Sequence, residues 1–179
     1  MKKSFKGIKT LFLALIVLLV ASGCNQNSEK AETASTDSTN MHSLYEENLA
    51  VYKTQIAAFE KEDLDAWAAT VADSAFWSSP FYGDTVSTKA HWVESTKNVF
   101  DNFNNLHLTD PQFLPGVDSA TQQPDGSVRY YGTWHGTASS GQEVKLKVYG
   151  TYDFNADHKV IFGADYYDAG GMRNALKTQ

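Results

Sequence analysis

A carboxyl group crowded by aromatic rings loses hydration, keeps its proton above the ordinary carboxylate range, and can then give or take one near neutral pH. Asp165, followed directly by Tyr166 and Tyr167, is one carboxyl of this sequence to which that chemistry could apply. Its direction is open: if Val160, Phe162 and Ala164 face the interior, strict alternation turns Asp165 outward, exposed or structurally hydrogen-bonded, whereas a β-bulge would turn it inward. His91, beside Trp92, is a second candidate, able either to reach a cavity from the start of a helix or to lie on the surface.

The five histidines, His42, His91, His107, His135 and His158, show no zinc-type spacing, so no metal site is expected. No Ser-His-Asp arrangement, glycine-rich phosphate loop or basic aromatic stripe is present, and no cofactor is expected. What the chain offers instead is aromatic surface. Trp77, Tyr82, Trp92, Tyr130, Trp134, Tyr149, Tyr152 and Tyr167 are candidates to line an apolar pocket, the same residue types serving equally as core filling.

Elements must bring these residues together. Tyr45, Leu49, Tyr52, Ile56 and Phe59 recur at steps of four and three, the stripe of an amphipathic helix beginning near Leu44. Asp63 can cap a second helix with Leu64, Trp67, Ala68 and Val71 facing inward, before an extended segment from Ala75 to about Pro80. A third helix is predicted from about Lys89 to Phe103. After Pro111 the period becomes two, with turn signals at Pro124–Gly126, Ser139–Gly141 and Asn155–Asp157, which predicts a four-stranded antiparallel meander. Val128, Tyr130, Gly132 and Trp134 share one face of a strand; Val148, Gly150 and Tyr152 share one face of the next. Gly132 and Gly150 would let the strands curl and would leave a gap on the concave face.

The start of the chain addresses its location. Lys2, Lys3, Lys6 and Lys9 precede an apolar run from Leu11 to Val20, too short for the roughly 20 residues of a membrane span, and the pattern reads as an export signal. Ala21-Ser22-Gly23-Cys24 resembles the lipobox of bacterial lipoproteins, which implies cleavage before Cys24, its lipidation, and a bacterial envelope protein held to a membrane. Residues 1–23 are then signal, 24–43 a lipidated Cys24 with a flexible polar tether, and 44–179 one domain. The first 24 residues hold four of the 15 basic and none of the 21 acidic residues, leaving 11 against 21, a net charge of −10. That balance argues against nucleic acid as a partner.

The order helix, helix, strand, helix and long meander, with EDLDAW, DSAFWSSP, DGSVRYYGTWHGT and above all KVIFGADYYDAGGMRNAL, resembles SnoaL-like domains of the nuclear transport factor 2 superfamily. The resemblance implies an α+β, cone-shaped NTF2-like fold: about three N-terminal helices packed in a curved antiparallel sheet, with a short C-terminal helix. It also implies a cavity for a small apolar molecule, with Asp165 as the proton-handling group of hydrolase- and cyclase-like relatives. Asp168 reads as a helix cap or turn residue. The Arg and Asp of the epoxide-hydrolase variant would fall at Gly150 and Tyr152, so that triad is absent. Three function classes stay open: a ligand-binding envelope protein; a cofactor-independent isomerase, cyclase or dehydratase using Asp165, with Tyr130, Tyr152 or His91 as donors; and an interaction module whose convex sheet face pairs with a second copy.

Overall fold

A computed structural model describes residues 27–177; the signal segment, Cys24 and the first residues of the tether lie outside them. The first helix, α1 (Asn27–Glu60), starts inside the segment read as tether, and the domain itself begins at Asn40. From there Tyr45, Leu49 and Tyr52 are buried along the expected stripe. Glu62, with φ of 56°, breaks the helix, and the Asp63 carboxylate caps α2 (Leu64–Ala69) by accepting from the Ala66 N–H at 3.0 Å.

Helix α2 is shorter than expected. Val71 is not its inward residue but the first of β1 (Val71–Ser78), where it is fully buried. After a loop and the two-residue β2 (Ser87–Thr88) comes α3 (Lys89–Asn102), with Trp92 and Thr96 buried. Strand β3 (Phe103–Val117) starts well before Pro111, because its first half is an irregular edge without clean alternation: Asn105 and Asp110 have φ of 56° and 51°, and its pairing shifts register three times. Strand β4 (Pro124–Ala138) already includes the Pro-Asp-Gly expected to turn; the turn lies earlier, where Asp118 Oδ1 accepts from the N–H groups of Ala120 and Thr121. Strands β5 (Glu143–Phe154) and β6 (Val160–Tyr166) follow the expected turns, and α4 (Ala169–Ala175) closes the chain, capped by Asp168 through the Gly171 N–H at 2.7 Å.

The four long strands form the predicted antiparallel meander within one six-stranded sheet of order β2-β1-β6-β5-β4-β3, to which β1 adds parallel to β6. The fold is α+β, with helices against the concave face of a curved sheet. Val71, Val128 and Val160 are fully buried between them, each contributing about 1.5–3 kcal/mol of transfer free energy. Two buried amides anchor α1: Asn48 donates to the Gly126 carbonyl at 2.8 Å and Gln55 to the Thr70 hydroxyl at 2.8 Å.

Candidate active site

The side of the sheet on which Asp165 lies is decided four residues before it. Phe154 pairs with Val160 and Asp153 with Phe162, so Ile161 is an extra residue, a β-bulge in β6. Beyond the bulge Gly163 pairs with Tyr152 and Asp165 with Gly150, and the alternation is shifted by one. The outward direction that strict alternation gave Asp165 is thereby corrected: Val160 and Asp165 both face the concave side.

There Asp165 Oδ1 accepts the Tyr152 hydroxyl at 2.8 Å and, more distantly, the Tyr130 hydroxyl at 3.5 Å, while the Trp134 indole N–H donates to the Tyr130 oxygen at 3.2 Å. Burial raises the Asp165 pKa above the ordinary carboxylate value, opposed by the donors Tyr152, Trp77 and Tyr130. The Trp77 indole N–H lies near enough to stabilise the carboxylate, yet it is buried without a partner of hydrogen-bond geometry. It acts on the carboxylate as an electrostatic neighbour rather than through a hydrogen bond. Burial likewise pushes Tyr130 and Tyr152 well above the usual phenol range, with the Asp165 charge adding to it, and takes Tyr167 to about 12.

This cluster lines a cavity of about 720 Å³. Of the residues singled out from sequence, Trp77, Trp92, Tyr130 and Trp134 line it, as do Tyr152, Asp165 and Tyr167; His91 is an exposed residue at its rim. Two others do not reach it. Tyr82 is fully exposed on the loop after β1, and Tyr149 is on the opposite face of β5, its ring between those of Tyr131 at 4.9 Å and Tyr166 at 5.6 Å. The physical reason is the strand alternation that places its neighbours Val148 and Gly150 inward. His135 borders the cavity, but its ring stacks on that of His107 at 4.8 Å.

The glycine gap expected on the concave face is filled. A Cβ at Gly150 would overlap the Tyr130 ring and come within 2.9 Å of Asp165 Oδ1, so this glycine is what lets ring and carboxylate approach across the strand. Gly163 does the same for Trp92, whereas Leu108 covers Gly132.

Tyr52 belongs to the site as well, though its sequence position marks only a helix stripe. Its ring centroid lies 4.3 Å from that of Tyr152 and 5.5 Å from that of Tyr130. The available signal was a tyrosine at an inward helix position, whose hydroxyl must find a partner when buried. Among the described residues no cluster of three or more His, Cys, Asp or Glu side chains could hold a metal ion.

No protein-family model matches the chain, and no curated protein does. Solved structures do. A candidate isomerase from Bacillus subtilis superposes with a TM-score of 0.64 at 15% identity, over 76% of this chain and 96% of the other. An NTF2-like protein of unknown function from Burkholderia pseudomallei gives 0.58 at 19% identity, over 72% and 95%. A candidate SnoaL-like polyketide cyclase from Shewanella denitrificans gives 0.57 at 11% identity, over 74% and 98%. At such identities the likeness is one of fold, and the fold of this chain is the NTF2-like cone.

Proposed function

We propose that the protein is a cofactor-independent acid–base enzyme of the isomerase, cyclase or dehydratase kind, acting on a small, largely apolar substrate in the cone cavity. One observation carries this reading: the bulge at Ile161 turns Asp165 into an aromatic cavity, where it holds its proton more firmly than an ordinary carboxyl. Both tyrosine hydroxyls converge on Oδ1, which leaves Oδ2 as the atom to give or take the substrate's proton. Tyr152 and Tyr130 hold the carboxyl in one orientation, and the aromatic wall excludes water from the transfer. Similarity to candidate isomerases and cyclases supports the reaction class. The export signal and Cys24 support an envelope location with a lipid anchor.

The test is hydrogen–deuterium exchange at carbons next to the carbonyl in a panel of apolar ketones, followed by NMR in heavy water. The protein should accelerate exchange for at least one of them. Asp165→Asn should lower that rate by about 10²–10⁴-fold, the usual contribution of a positioned acid–base group. Exchange that survives the substitution, or that the parent never shows, removes the catalytic reading; apolar ligand binding without exchange would leave a binding protein.

A further inference from the structure

Buried carboxylates are normally paired with a cation, because an uncompensated charge in a low-dielectric site is costly. Asp165 accepts from the hydroxyls of Tyr152 and Tyr130 but has no such partner among the described residues. No lysine or arginine lines the cavity among the described residues; apart from tyrosines, its ionisable groups are Asp84, Asp165, His91 and His135. Two cations of the elements that carry the cavity's lining are engaged in other contacts: Lys89 donates to the Val71 carbonyl and to Asp73, both at 2.8 Å, and Arg173 lies over the Phe81 ring at 5.0 Å.

The walls around the unpaired carboxylate are aromatic. All four tryptophans of the chain, Trp67, Trp77, Trp92 and Trp134, line the cavity. Trp77 and Trp92 are parallel to within 5° at 6.0 Å, and Trp92 continues the stack onto Tyr152 at 6.3 Å. Aromatic faces attract cations through the ring quadrupole, and a desolvated cage of them is a known solution for organic ammonium groups.

We infer that the cavity takes an organic ammonium ligand, apolar in its body, whose charged nitrogen pairs with Asp165 among the stacked aromatic rings. This rests on the reading of Asp165 as the group that meets the substrate. A neutral ligand would leave Asp165 with only the Tyr152 and Tyr130 hydroxyls as partners, and an anion would meet a wall with no countercharge. The net charge of −10 on the chain beyond Cys24 favours the approach of a cation from solution.

Because every tryptophan borders the site, quenching of intrinsic fluorescence reports binding. Three probes of similar shape separate the charge from the body: benzyltrimethylammonium, its neutral carbon isostere neopentylbenzene, and phenylacetate. The ammonium probe should bind at least about tenfold tighter than the neutral one, and phenylacetate weaker than both, as expected for a desolvated ion pair with cation–π contacts. In Asp165→Asn the preference should fall to within about threefold, a cooperative thermal melt showing that the variant is folded; Asp165→Glu should restore the preference. A neutral probe that binds as tightly as the cation, a preference that persists in Asp165→Asn, or no binding of any probe overturns the inference. Failure here with ketone exchange intact removes only the ammonium ligand, whereas an Asp165-dependent ammonium preference without exchange removes the catalytic step and keeps the ligand.

Discussion

Asp165 lowers the stability of the empty domain in a pH-dependent way. In the unfolded chain its carboxyl ionises in the ordinary range, about pH 4, and in the fold burial holds the proton to higher pH. Between the two values the folded state binds more protons than the unfolded one, so stability falls as pH rises through that window and is then constant above it. Asp165→Asn removes the titration. The variant should gain melting temperature relative to the parent at about pH 7 and lose that gain at about pH 3, the arrangement expected of a site whose function is bought with stability. Equal displacement of the two melting curves at every pH would show that this carboxyl does not titrate differently in the fold.

Elements were more legible in the sequence than their junctions. Tyr130, Trp134 and Tyr152 could be assigned to the concave face because β4 and β5 alternate without interruption over their paired length. The same alternation excludes Tyr149, whose residue type had suggested a pocket. Asp165 could not be assigned, since the extra residue at Ile161 is set by how β6 pairs with the neighbouring β5 on one side and with β1 on the other, and β1 is distant in sequence. Tyr52 was visible as helix core but not as part of the site, because only the packing of α1 on the sheet brings it to Tyr152. That packing is directional through Asn48, 2% exposed, which donates to Gly126 and meets His158 Nδ1 at 2.8 Å through its side-chain oxygen. Asn48→Ala should lower unfolding free energy by about 1–3 kcal/mol in chemical denaturation, the cost of leaving buried polar partners unmet. A change within measurement error would mean that apolar contacts alone orient α1.

For the whole molecule, location and chemistry are separable. No helix among the described residues is long and apolar enough to cross a membrane, and the proposed attachment is through Cys24. Cys24→Ala should leave unprocessed precursor and remove the lipid mass from the protein, measured by fractionation and intact mass spectrometry; a parent protein without lipid would refute the anchor. Attachment to a membrane raises local concentration, and there the long outer strand acquires a meaning of its own. Strand β3 is a free edge of 15 residues, but Pro111 and Pro115 lack N–H donors, and left-handed residues and three register shifts break its line; the other edge, β2, is two residues long. Neither edge offers an incoming strand a continuous ladder, so edge-to-edge strand addition between crowded copies is disfavoured.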